Sequence, residues 1–269
     1  MTPNPIVKVL STLRSCRVRF LLMGGQACVF YGAAEFSRDT DIVLLADSAN
    51  LKRLSDALRT LQAEAIAVPA LSATHLAKGH AVHFRCHHPE AEGMRLDVMS
   101  VLRGLPSFPT LWKRRTTVSI GAHERFDLMS LPDLVQAKKT QRDKDWPMLS
   151  RLVEAHYARN SSSPTARKAD FWFTEARTPA LLIELARQHR AGLRRCLLRR
   201  PLLALARDGR EAELAAALAA EEGLERAADR AYWDPLKREL EQLRHDRLQD
   251  CGMIGHEATG LAADRQRRT

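Results

Sequence analysis

Long apolar runs are missing from this sequence. The longest near its start, Phe20 to Met23, is far short of a membrane span. No apolar leader of the signal-peptide kind is seen, so a cytoplasmic protein without membrane engagement is expected. Cysteines are few, five in all (Cys16, Cys28, Cys86, Cys196 and Cys251), scattered and odd in number. Without a secretory context, free thiols are expected rather than a disulfide framework. There is no internal repeat, no fibrous period and no sign of extreme disorder. What remains is an ordinary globular composition, 45% hydrophobic and 28% charged over 269 residues, enough for one large domain or two smaller ones.

One sign of charge is in excess. The formal net charge is +10, and residues 1–159 carry 22 Lys and Arg against 15 Asp and Glu, the remainder 20 against 17. The excess lies mostly in the first part. Such a field attracts polyanions, including nucleotides, RNA, DNA and membrane surfaces, without choosing among them.

The first part alternates strand and helix signals. Residues 17–23 (RVRFLLM) are β-prone and end at Gly24-Gly25; residues 26–32 read as a short helix; residues 40–45 (TDIVLL) read as a largely buried strand. Ser48 is a plausible N-cap for a helix over 49–63, where Leu51, Leu54, Leu58 and Leu61 keep helical spacing. A hairpin is expected from 80–87 and 94–102, then a weaker strand at 116–120 and helices at 131–140 and 145–158. This order implies an α/β (α+β) fold with a mixed sheet and flanking helices. The stretch NSSSP (160–164) is the best candidate boundary between a first domain, 1–159, and a small all-helical domain, 160–254. Helical segments are expected there at 178–190, 192–207, 210–228 and 232–249, with a disordered tail over 255–269.

Asp39 and Asp41 lie two apart on the expected strand and so leave it on one face. Paired carboxylates repel and raise each other's pKa unless a cation lies between them. Magnesium, with manganese as an alternative, suits such a pair, because it completes its shell with water and substrate phosphates. Gly24-Gly25 adds a second element: glycines between strand and helix let backbone N–H groups approach a ligand, and the following helix turns its positive end to the same place. Asp97, in MRLDVMSV, is the third. An unpaired carboxylate among apolar neighbours is costly. If its strand lies beside 40–45, it can face Asp39 and Asp41 to complete a metal shell or serve as general base; the alternative is a salt bridge to Arg95.

The stretch LLMGGQACVFYGAAEFSRDTDIVLL resembles the minimal nucleotidyltransferases of the polymerase-beta-like superfamily, including bacterial toxin-type and abortive-infection-type members. Thirteen residues separate Gly25 from Asp39, and Asp97 in RLDV matches the family's third carboxylate. The resemblance covers roughly residues 15–157. It departs at Thr40, where the family has an apolar residue, and at Glu35, where many relatives have Arg. It implies a magnesium-dependent enzyme whose metal ligands and catalytic residues are Asp39, Asp41 and Asp97. Gly24 and Gly25 would then bind the nucleoside triphosphate, with Lys138, Lys139, Arg142 and Lys144 near phosphates or acceptor, and Asp145 orienting one of those lysines. An NMP would pass to an acceptor hydroxyl on RNA, a protein or a small molecule, and an antitoxin-like partner is part of what the resemblance implies. A catalytically inactive nucleotide- or nucleic-acid-binding regulator of the same fold is the other reading; an Asp97 turned away or neutralised by Arg95 would take most of the support from the enzymatic one.

Other constellations carry less. His75, His80, His83, Cys86, His87 and His88 invite zinc, but their spacing matches no familiar module, and on a strand His80 and Cys86 share a face that His83 does not; a solvent-facing hairpin is the simpler expectation. Lys113-Arg114-Arg115 and the Arg194-Arg195 and Arg199-Arg200 pairs suit solvated faces or a nucleic-acid backbone. Phe171-Trp172-Phe173 is expected to anchor the helical part, with base stacking as the alternative.

Overall fold

A computed structural model describes residues 5–120 and 124–265, apart from the side chains of residues 120 and 250–265. The chain begins with helix α1 (Pro5–Ser15), which buries Val9, Leu10 and Leu13. Strand β1 (Phe20–Met23) leads directly into the short helix α2 (Gly24–Phe30), and β2 (Asp39–Leu44) returns antiparallel to β1. Helix α3 (Ser48–Thr60) follows. Its N-cap is Asp47 rather than Ser48: the Asp47 carboxylate accepts the Asn50 N–H at 2.7 Å. The fully buried Asn50 then clips the strand ends together, accepting from Arg19 N and donating to the carbonyls of Arg19 and Leu45. That clip holds β1 and β2 in register from the end opposite the aspartates.

Next come β3 (Glu64–Ala65), α4 (Ala73–Lys78), β4 (Val82–Arg85), β5 (Arg95–Met99), α5 (Phe108–Lys113), β6 (Thr116–Ile120) and β7 (Glu124–Leu128). The expected hairpin is β4–β5. The sheet is mixed, in the order β3-β4-β5-β2-β1-β7-β6, with β2/β5 and β1/β7 parallel and the other neighbours antiparallel. Helices α6 (Leu131–Ala137) and α7 (Asp145–Asn160) complete the first part.

The stretch 160–164 does separate α7 from a helical region: α8 (Ala166–Glu175), α9 (Pro179–Gln188), α10 (Arg190–Leu197), α11 (Leu203–Arg207) and the long α12 (Glu211–Arg265). The segment expected as a tail from Gly255 falls partly on α12 and partly in 266–269, outside the described residues. Trp172 and Phe173 are fully buried, the anchoring role expected of them. Among the described residues no helix is long and apolar enough to cross a membrane. Cys16, Cys28, Cys86 and Cys196 are free thiols, and burial pushes those of Cys28 and Cys86 up to about 11, where they are unreactive.

Helix α12 does not stay with its own half. Its Asp229 accepts from Arg103 Nε at 3.1 Å and from the Gln141 N–H at 2.8 Å; its Glu225 accepts from Arg103 at 3.1 Å. Further along, Glu239 pairs with Lys78 at 2.5 Å and with the fully buried His80 at 3.0 Å. Gly79 lies so close that a side-chain carbon there would fall 2.4 Å from the Tyr232 hydroxyl. The helix is thereby laid across the sheet half.

Candidate active site

The parallel pairing of β2 with β5 sets Asp41 directly beside Asp97, and the antiparallel pairing of β4 with β5 sets His83 on the other side of Asp97. One cross-strand row therefore reads Asp41, Asp97, His83. The next reads Asp39, Arg95, Arg85. Alternation along β2 puts Asp39 and Asp41 on one face and Thr40 on the other, fully buried. Thr40 thus occupies an inward-facing slot, and its hydroxyl has no hydrogen-bond partner among the described residues.

The three carboxylates are neighbours but not equivalents. Asp39 makes no side-chain hydrogen bond among the described residues and lines the cleft. Burial pushes the Asp41 carboxyl above its ordinary range, and the charges of Asp97 and Asp39 push the same way; Lys138 and the Gly25 N–H pull it back in part. For Asp97, burial raises the carboxyl, but His83 and Arg95 outweigh it and hold Asp97 below the ordinary range. Its Oδ1 accepts from Arg95 Nε at 2.7 Å and meets His83 Nδ1 at 2.8 Å. The salt bridge to Arg95 weighed as an alternative is therefore present, with Asp97 Oδ2 left without a hydrogen bond among the described residues. No group of three or more His, Cys, Asp or Glu side chains among the described residues is drawn together as if around a metal ion.

Gly24 and Gly25 press the start of α2 onto this row. Gly24 has φ +66°, and a side-chain carbon on it would lie 1.8 Å from Asp41 Oδ2. The Gly25 N–H, expected to bind the triphosphate, here faces Asp41 and lowers its carboxyl in part. Beside Gly25 stands Ser37, whose hydroxyl donates to the Asp39 carbonyl at 3.1 Å.

The basic residues after the sheet divide three ways. Lys138 and Arg142 both bind the buried Asp145, at 3.0 and 2.7 Å, so Asp145 orients Lys138 as expected. Lys139 is buried and committed to Glu175 at 2.9 Å. Lys144 is exposed and has no carboxylate partner among the described residues. All four line one cleft of about 630 Å³ together with Gly24, Gly25, Asp39, Asp41 and Asp97. Helix α12 also lines it, through Tyr232, Trp233, Lys237 and Leu240. Sequence reasoning did not anticipate that wall, nor Ser37, Arg103 and His83 as lining residues.

The rejected constellations also resolve. His80 and Cys86 are fully buried, so the β4–β5 hairpin is not solvent-facing throughout. Arg114 and Arg115 are paired with Asp133 and Asp127, Arg195 with Asp170, and Arg200 is buried against Glu221. Glu35 is exposed. In comparisons with known proteins, no family model matches the chain and no curated protein matches it.

Proposed function

We propose that the chain is a magnesium-dependent nucleotidyltransferase, moving an NMP from a nucleoside triphosphate to an acceptor hydroxyl. The observation that carries this reading is the Asp41–Asp97 register: two carboxylates side by side, a third two residues away, and a glycine backbone pressed against them at the floor of a nucleotide-sized cleft.

Asp39 and Asp41 fit magnesium. They are hard oxygen donors on one face of one strand, Asp39 has a carboxylate without a hydrogen bond among the described residues, and Asp41 carries the penalty of buried, mutually repelling charge that a dication removes. Magnesium bound there supplies neutralisation of the triphosphate's charge. The chain's own residues do the rest. Lys138, anchored by Asp145, stabilises negative charge at Asp41. Lys144, exposed and without a carboxylate partner among the described residues, can meet a phosphate. The attacking hydroxyl forms the new bond to the α-phosphate, pyrophosphate leaves, and Asp97 Oδ2 is open to receive the proton. Because Arg95 and His83 keep Asp97 a weak base, positioning and charge neutralisation carry most of the rate. The acceptor class (RNA, a protein side chain or a small molecule), like a toxin role with an antitoxin partner, rests on the resemblance alone.

The Arg95–Asp97 pair favours a second reading, a catalytically silent nucleotide binder. One experiment separates the two: each α-labelled nucleoside triphosphate incubated with magnesium and total RNA or cell extract, beside an Asp39→Ala/Asp41→Ala control. Label transferred by the wild type alone supports the enzyme. Nucleotide binding without transfer supports the silent binder, and neither binding nor transfer refutes both.

A further inference from the structure

Of the chain's four tryptophans, two have a hydrogen-bond partner for the indole N–H among the described residues. Trp146 donates its indole N–H to the Thr140 carbonyl and Trp172 to His156 Nδ1, each at 2.8 Å. Trp112 has no partner for its indole N–H among the described residues, but its ring is covered, stacked on Phe108 at 5.7 Å and lying under the guanidinium groups of Arg19 and Arg115. Trp233 differs. It sits half-buried on α12, in edge contact with the Tyr232 ring at 5.5 Å, and its indole N–H has no partner among the described residues. A large aromatic left incomplete on a helix is costly in ordered side chain and exposed apolar surface unless something covers it.

What can cover it is set by where it stands. Trp233 and Tyr232, on α12, line the same cleft as Asp39, Asp41 and Asp97. A phosphate-bearing ligand held by the carboxylate side carries its base toward a wall, and an aromatic pair offers the π-face on which any base stacks. Lys237, on the next turn, meets its nearest carboxylate only at 4.0 Å, from Asp234, and adds a cation at the same wall.

We propose that Trp233, backed by Tyr232, is the seat of a nucleobase, so that α12 binds the base while the sheet holds the phosphates. This rests on the nucleotide reading given above. The base belongs either to the nucleoside triphosphate or to a single-stranded polynucleotide acceptor; the chemistry is common to both.

The test uses the full chain with magnesium and three ligands: ATP with the other nucleoside triphosphates, inorganic tripolyphosphate, and a short single-stranded oligonucleotide. Affinities are compared for wild type, Trp233→Ala and Trp233→Phe. Loss of one stacked base weakens binding about tenfold. The expected result is that loss in Trp233→Ala for the triphosphates, for the oligonucleotide or for both, near-complete recovery in Trp233→Phe, and tripolyphosphate affinity unchanged. A loss confined to the triphosphates assigns the base to the donor; one confined to the oligonucleotide assigns it to the acceptor. Unchanged affinity for both base-bearing ligands overturns the proposal, as does an equal loss for tripolyphosphate, which marks a structural role. If wild type binds none of the three, the nucleotide reading itself has failed and the platform with it.

Discussion

Replacing Gly24 by alanine tests how tightly the site is built. At φ +66° a side-chain carbon costs about 1–2 kcal/mol from backbone sterics alone. The new carbon would also sit 1.8, 2.4 and 2.6 Å from Asp41 Oδ2, Cγ and Cβ. A rotation of Asp41 can clear its oxygen but not its Cβ, so the strand or the start of α2 must move, at a further 1–3 kcal/mol or so for overpacking. The expected total is about 3 kcal/mol, or roughly 6–12 °C in melting temperature for a chain of this size. On the nucleotide reading proposed above, nucleotide binding should fall with it, because Asp41 is displaced. Gly25→Ala is the internal control. Its added carbon meets the Ser37 hydroxyl at 2.6 Å, the far end of a short side chain that can turn away, and the position carries no positive φ. Its cost should stay under about 1 kcal/mol and shrink further in the Gly25→Ala/Ser37→Ala double variant. Thermal melts and nucleotide titrations of the four proteins decide. Gly24→Ala melting within about 2 °C of wild type, under 1 kcal/mol on this scale, would refute the reasoning.

Three further outcomes follow from the same geometry. Thr40→Val removes a fully buried hydroxyl that has no partner among the described residues, so urea unfolding should show a gain of about 1 kcal/mol with nucleotide binding unchanged; a loss of stability would mean the hydroxyl is satisfied after all. Asp41 has a raised pKa, so its ionisation works against the fold: without magnesium, Asp41→Asn should melt higher than wild type at pH 8, and the gain should close as pH falls and wild-type Asp41 takes up its proton. A gain that does not vary with pH would contradict this assignment. Glu239 is held down to about 2 by Lys78 and His80, so its contribution is complete above the ordinary glutamate range and is lost as pH falls toward 2. Glu239→Gln should therefore speed hydrogen exchange around Gly79–Ala81 and in α12 at neutral pH; identical exchange in both proteins at pH 7 would show that the Glu239 pairs with Lys78 and His80 do not hold α12 in place.

The part of the site visible in the sequence is the part made by neighbours in the chain. A β-prone run, two glycines and an alternating Asp-Thr-Asp are local signals, and they placed β1, α2 and β2 and the face shared by Asp39 and Asp41. The Asp97 strand was also legible, since period-2 alternation in RLDVM needs no partner to be read. What period alone does not supply is who stands opposite. His83 entered the sequence reading as one of a histidine cluster, and only the β4–β5 register puts it against Asp97. Arg95 was named as a partner and is one, because residues two apart on a strand share a face. The wall at Tyr232 and Trp233 lies about 190 residues from Asp41, on a helix whose own periodicity says only that it is helical. Separations of 122 and 126 residues likewise hid the ties of Arg103 to Glu225 and Asp229.

Those ties have a thermodynamic consequence. Although the chain looks divisible at 160–164, one wall of the cleft belongs to each side of that seam. A ligand that touches both walls is lost by anything that lifts α12, and by reciprocity its binding must strengthen the seating of α12 by the same free energy. The two halves should consequently melt as one cooperative unit, a single calorimetric transition that climbs with ligand concentration, and severing the chain at the seam would abolish the coupling along with the wall.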